Sequence, residues 1–247
     1  MKLIEKLTTY TDVGSTSSGA FTHGIHPYPA KFIPELPREI IRECTKERNV
    51  VLDPFCGSGT TLLEACVAGR KSIGIDSNPV ATLISRAKTT ALTACEQKQI
   101  LAIINRLNKL DLAEIRTAWT PSVQNLGHWF QKNVITELSW LKQFILDNSC
   151  GNLQTFLLCI FSSIIVNVSN QESNTRYVAV EKKLADGVVI TTFVRKLKQE
   201  YEKIMSISNM ITVEKNTPTV ILGSTDSISS DIVADSSVDI VITSPPY

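Results

Sequence analysis

The sequence predicts an α/β protein, a doubly wound parallel sheet with a large helical insertion. Three observations predict it. An apolar strand run, a glycine turn and a short helix follow one another over residues 50–67, and a second strand and helix come directly after them. Helical spacing then holds from about Ala91 to Met210. Strand character returns at Thr219–Leu222 and Val238–Ile242, close to the last residue given, Tyr247.

Residues 1–30 are rich in Thr, Ser, Gly and Pro and end in His26-Pro27-Tyr28-Pro29, which favours extended loop. After Pro34 and Pro37, Arg38–Glu47 is helical in pattern, with Ile40, Ile41 and Cys44 on one face. Val50–Leu52 reads as a buried strand. Thr60–Val67 reads as a helix with Leu62, Leu63 and Cys66 inward, ended by Gly69. Ser72–Ile75 is the second strand, and Pro79 opens the next helix at a favoured position. In the insertion, Ile100, Ile103, Ile104 and Leu107 keep helical spacing, as do Leu138, Leu141 and Ile145. Ser169–Arg176 reads as a loop and Phe193–Ile204 as a charged amphipathic helix. The division expected is 1–48, an N-terminal loop and helix; 49–90, a ligand-binding βαβα unit; 91–210, the insertion; and 211–247, the returning strands.

Composition narrows the functional classes. The 247 residues suit one sizeable α/β domain or two small ones. A net charge of +1 excludes a polycationic tail while leaving room for a local basic cleft. Hydrophobic residues at 43% exclude a disordered chain. Cys44, Cys56, Cys66, Cys95, Cys150 and Cys159 form no C-x-x-C pair, and read as reduced thiols rather than a disulfide frame or a metal site. The N-terminus lacks a secretory pattern. The most apolar window, Leu153–Val168, falls short of the ~20 apolar residues of a membrane span and reads as a core helix. A cytoplasmic protein with no membrane and no metal is expected.

The chemistry is concentrated in two places. Asp53-Pro54-Phe55-Cys56-Gly57-Ser58-Gly59-Thr60-Thr61 delivers an acid at a strand end, then glycines, then a helix N-terminus. The glycines let a ligand approach the backbone, and the helix start offers unpaired N–H donors. No Lys follows the second glycine, and the third glycine of a dinucleotide fingerprint is missing. Asp76, at the next strand end, is placed to accept from a ribose diol. Two acids on adjacent strand ends suit a cationic adenosyl ligand with a free amine. The second place is Ser244-Pro245-Pro246-Tyr247. Its prolines fix a rigid turn with outward carbonyls, and a hydroxyl, a carbonyl and a ring together can grip a planar base by its exocyclic amine. Alone, such a tetrapeptide also reads as a plain loop or a proline-recognition ligand.

Together these segments resemble the amino-group DNA methyltransferases of restriction-modification systems, which methylate cytosine N4 or adenine N6. The resemblance spans about residues 23–90 and 219–247. It implies a Rossmann-like methyltransferase sheet and S-adenosyl-L-methionine as cofactor. His26-Pro27-Tyr28-Pro29-Ala30-Lys31-Phe32 is similar to the segment those enzymes set against the methionine end of the cofactor. By the same resemblance, Lys31, Asp53, Pro54, Phe55, Gly57, Gly59, Thr60, Asp76, Ser77 and Asp226 would bind the cofactor. Asp53 would take the methionine amine, Asp76 the ribose and Asp226 the adenine. Ser244, Pro245, Pro246 and Tyr247 would hold and stack the flipped base, and the amine would attack the sulfonium methyl directly. No cysteine lies beside the prolines, so covalent attack at cytosine C5 has no nucleophile, and Cys56 and Cys66 read as packing residues. Serine before Pro-Pro-Tyr favours cytosine N4 over adenine N6.

Two features depart from the family pattern. Roughly 110–120 residues separate the second helix from the third strand, where a short connection suffices. Within them, Lys182, Lys183, Arg195, Lys196 and Lys198 either touch phosphate or form a solvated face with Glu181, Asp186 and Glu200, the latter being preferred. His128-Trp129-Phe130 reads as core rather than base-stacking. In addition, only four sheet strands are visible, so the sheet is expected to be incomplete at its C-terminal side, with an unpaired edge. The expected partners are therefore double-stranded DNA and a complementing C-terminal chain or region. An RNA base methyltransferase and a non-catalytic subunit of a split enzyme stay open as alternatives.

Overall fold

The computed structural model describes residues 21–29, 31–211 and 216–244. They fall into two compact units, residues 1–91 with 203–247, and residues 92–202.

In the first unit, α1 (Glu35–Cys44) starts directly after Pro34. A proline costs nothing in the first turn, where the N–H has no intrahelical acceptor, and Pro37 is tolerated for the same reason. The helix thus begins ahead of the expected Arg38 and stops before Glu47. Its buried stripe runs through Pro37, Ile41 and Thr45, which turns Cys44 to solvent rather than inward. β1 (Val50–Asp53) leads through the glycine turn into α2 (Thr60–Val67), whose Leu62, Leu63 and Cys66 are buried as expected. β2 (Lys71–Asp76) is followed by α3 (Pro79–Lys88), with Asn78 Oδ1 accepting from Val80 N at 2.9 Å as the N-cap.

The sheet is fully parallel, in the order β3-β2-β1-β4, with β3 at Thr219–Leu222 and β4 at Ile240–Val241. β4 is shorter than the expected run, but Asp239 N to Val50 O (3.0 Å) and Ile242 N to Leu52 O (2.9 Å) extend its ladder at both ends. The first three strands step outward from β1, and β4 returns to its other side. A parallel sheet opens a crevice beyond its carboxyl ends where the winding reverses. Here that place lies between the ends of β1 and β4. Ile41, Val51, Ala65 and Ile242 form one core cluster beneath it.

The second unit is helical: α4 (Ala94–Asn108), α5 (Leu126–Trp129), α6 (Lys132–Asn148), α7 (Gly151–Ile164) and the first part of α8 (Val188–Met210), whose last residues belong to the first unit. Ile100, Ile103, Ile104 and Leu107 are buried, and Thr93 and Glu96 form a capping box ahead of them. Glu137 caps α8, accepting from Gly187 N at 2.6 Å and Val189 N at 2.9 Å. The expectation for His128-Trp129-Phe130 is corrected. His128 is exposed and the other two are half-buried, because α5 is a single turn entered through Asn125 at positive φ. Lys182 donates to the carbonyls of Ser169 and Gln171 (2.7 and 2.5 Å), and Lys196 pairs with Glu200 at 2.8 Å, whereas Lys183, Arg195 and Lys198 are exposed. Among the described residues no helix is long and apolar enough to cross a membrane.

Candidate active site

Asp53 ends β1 and is 2% exposed. The turn after it is pinned at three points. Cys56 N donates to Ile75 O (3.0 Å), Gly57 N to Asp76 Oδ2 (2.9 Å), and Ser85 Oγ to Gly57 O (2.7 Å). Gly57 and Gly59 take φ values of +49° and +75°, which side-chain-bearing residues rarely adopt. A Cβ on Gly59 would also lie 2.7 Å from Ser85 Oγ. α2 begins at Thr60 without a side-chain cap, so its first-turn N–H groups remain available to a polar ligand.

Burial pushes the Asp53 carboxyl above its ordinary range, and Asp76 adds to the shift. The hydroxyls of Thr61 and Thr243 and the Phe55 N–H oppose it. Only the Phe55 N–H reaches hydrogen-bond geometry, at 3.2 Å; both threonine Oγ1 atoms are buried and unsatisfied among the described residues. The two hydroxyls point donors towards the carboxylate from beyond hydrogen-bond distance and keep acceptor capacity of their own, so the carboxylate has room to accept from a donor-rich group such as an amine.

Asp53 and Thr61 open onto one cavity, whose lining does not include Thr243. Asp53, Phe55, Cys56, Gly57, Ser58, Thr60 and Thr61 line it from the β1–α2 connection, Tyr28, Lys31 and Phe32 from the N-terminal segment, and Ser244 from beyond β4. Among residues expected from the sequence, Lys31, Asp53, Phe55, Gly57, Thr60 and Ser244 are therefore brought together. Pro54 and Gly59 share the turn without lining the cavity. Asp76 is joined to it through Gly57, and Ser77 is exposed beside Asp76. Asp226 sits apart, exposed in a short 3-10 turn against Ser224 Oγ (3.2 Å). Pro245, Pro246 and Tyr247 lie outside the described residues. Burial raises the Cys56 and Cys66 thiols to about 12, so neither is a nucleophile at neutral pH.

Sequence reasoning passed over Tyr28, Phe32, Ser58 and Thr61 as individual wall residues. The proline-flanked run ahead of α1 was the available signal for the first two. It also missed a buried polar cluster on α2. Glu64, 2% exposed, accepts from His23 Nε2 (2.7 Å) and from Arg38 Nε and Nη2 (2.8 Å each). Burial alone would raise the Glu64 carboxyl, but its hydrogen bonds from His23 and Arg38 outweigh this and hold it below its ordinary value. An ionised Glu64 only accepts, so His23 donates through Nε2, and its buried Nδ1 is left without a partner among the described residues. Burial lowers the His23 pKa, which keeps the ring neutral. Lys88, fully buried on α3, donates to Ser58 Oγ at 3.3 Å.

Residues 6–86 match a DNA methylase family model of the N6/N4 type. Over its whole length the chain is 26% identical to the Type II methyltransferase M.MvaI of Kocuria varians, covering 57% of that protein. It is 27% identical to the Type II methyltransferase M.BsoBI of Geobacillus stearothermophilus, with 89% of the chain matched to 48% of that protein. Over 36% of the chain it is 31% identical to a tRNA (guanine(10)-N2)-dimethyltransferase of Methanocaldococcus jannaschii, of which it covers 24%. The chain thus spans about half the length of the two relatives it matches most fully. No solved structure matches it.

Proposed function

We propose that this chain, similar to Type II DNA methyltransferases and matching a DNA methylase model over residues 6–86, is an amino-group DNA methyltransferase of the restriction-modification type that transfers a methyl group from S-adenosyl-L-methionine to the N4 amine of cytosine in duplex DNA. One observation carries this reading. Asp53 and Ser244, delivered by adjacent strands at the place where the sheet reverses its winding, face the same cavity. The family's donor supplies an electrophilic methyl on a cationic sulfonium. The chain's own residues bind and orient. Asp53, with the Thr61 hydroxyl beside it, fits the donor's amine, and the backbone at Gly57 lets it approach closely. Ser244 accepts an N–H from the target amine and so aims its lone pair. Rate then comes from positioning and electrostatics, without a covalent enzyme intermediate.

Cytosine N4 is favoured over adenine N6 by the serine at position 244, which offers one small acceptor in place of a carboxylate or amide. The part of the relatives that this chain does not span is the proposed source of target recognition, carried on a continuation or a complementing chain. The test is methyl transfer from labelled donor to unmethylated DNA, followed by nucleoside mass analysis, with the chain alone and with such a complement. N4-methylcytosine in either arm supports the assignment. N6-methyladenine overturns the base, and donor binding with no transfer in both arms overturns the catalytic reading.

A further inference from the structure

Glu64 is an acid at a position that the α2 pattern buries. Removing a carboxylate from water is costly unless the site supplies charge and hydrogen bonds in return. Here the site supplies three donors, one from His23 and a two-pronged grip from Arg38. Glu64 does not line the cavity, and neither do His23 and Arg38. It lies one helical turn beyond Thr60, which does.

The positions of the two partners in the chain are informative. His23 and Arg38 bracket residues 23–38, and Tyr28, Lys31 and Phe32, the N-terminal side of the cavity wall, lie between them. Among the described residues, this stretch contains no helix or strand ahead of α1. Two of its backbone bonds are local, Ile25 N to Thr22 O (3.1 Å) and Tyr28 N to His26 O (2.9 Å), while next to it the Thr22 hydroxyl donates to Lys88 O at 2.6 Å and Phe32 packs on the Ile41, Val51, Ala65 and Ile242 cluster. The Lys31 ammonium adds long contacts to the His23 and His26 carbonyls, 3.4 and 3.5 Å.

We propose that Glu64 is a positioning residue of the methyl-donor site, one carboxylate that fastens both ends of residues 23–38 to α2 and so holds Tyr28, Lys31 and Phe32 in the cavity wall. This rests on the donor-binding reading above. Glu64 touches neither donor nor target; it acts through the segment.

The test compares the whole chain with Glu64→Gln, which keeps the side chain's size but not its charge. Amide hydrogen exchange without ligand is expected to speed up over residues 23–38 while β1, α2 and β2 keep their protection. S-adenosyl-L-methionine binding is expected to weaken about ten- to a hundredfold. In a double-variant cycle, Tyr28→Ala should weaken binding in the parent chain and add little on top of Glu64→Gln. Should Glu64→Gln unfold, His23→Gln opens only one arm and is read in the same three ways. Exchange that is unchanged, or raised evenly across the unit, overturns the clamp. So does full additivity with Tyr28→Ala. A parent chain that binds no donor overturns the donor reading and this role with it, whereas normal parent binding with undiminished affinity in Glu64→Gln overturns this role alone.

Discussion

The backbone N–H of Gly57 donates to Asp76 Oδ2 at 2.9 Å, so the glycine turn after the first strand is held by the acid that ends the second. The other oxygen, Oδ1, accepts from Asn78 N at 2.8 Å. Asp76 is thus a scaffold for two turns as well as the proposed ribose partner. Asp76→Ala removes both ties and is expected to lower stability by about 1–3 kcal/mol. Asp76→Asn keeps one acceptor oxygen and should fall between. Urea midpoints of the three chains check this, and equal midpoints would refute it.

Gly59→Ala is expected to be severe, and Ser85→Ala should not rescue it. The introduced Cβ would meet Ser85 Oγ at 2.7 Å, but also its Cβ at 2.9 Å and Cα at 3.0 Å, which an alanine keeps. The φ of +75° adds backbone strain of about 1–2 kcal/mol. Ser85→Ala further deletes the bond to the Gly57 carbonyl. Thermal melts with donor titrations check the pair. Recovery in the double variant would mean that the hydroxyl alone set the restriction.

What could be read from the sequence was what short-range physics decides. The strand run into Asp53, the glycines at positive φ and the apolar stripe of Thr60–Val67 follow from local rules, and all are present. The misreadings came from patterns settled by distant partners. Glu64 was passed over altogether, since its burial becomes tolerable only through His23 and Arg38, which lie 41 and 26 residues away in the chain. Aromatic residues read as core, yet the single turn at Leu126–Trp129 leaves His128 exposed. Cys44 shares a face with Ile40 and Ile41, yet it stands at the last turn of α1 and is exposed, because the buried stripe runs through Pro37 and Ile41 instead. Asp226 follows a strand end as expected, but its carboxylate engages Ser224 in its own turn.

Asp53→Asn should stabilise the fold while abolishing donor binding. Burial raises the folded-state pKa of Asp53 above its ordinary value of 3.8. The folded chain therefore binds this proton more tightly than the unfolded chain. Stability falls as pH rises from 3.8 through the raised value, and at neutral pH the ionised group is a net cost. Asparagine keeps an acceptor for the Phe55 N–H and brings an amide donor to the orphaned Thr61 and Thr243 oxygens. A gain of about 0.5–2 kcal/mol is expected, the usual size for relief of a strained functional site. Urea unfolding at pH 7 with a donor titration checks both halves. A less stable variant would mean that the carboxylate is already well compensated.

Acid should loosen the segment that walls the cavity, in two steps with a common sign. Glu64 has a folded pKa below 4.5, so its contribution is present above 4.5 and is lost as pH falls through the lower folded value. His23 has a folded pKa below 6.5, because its buried neutral ring resists protonation. In the unfolded chain it takes up a proton as pH drops below 6.5, so stability declines from there down to the folded value. Protonating His23 in place would also put an N–H on the buried, unpartnered Nδ1, which has no acceptor to receive it. Hence His23→Gln should remove the upper part of the acid decline and also shrink the part below 4.5 that belongs to Glu64, because His23 is one of the donors that hold that carboxyl down. Unfolding free energies from pH 8 to pH 4 for both chains give the difference curve. A slope confined to the interval below 6.5 is the expected result, and a flat difference would mean that His23 does not change its proton affinity on folding.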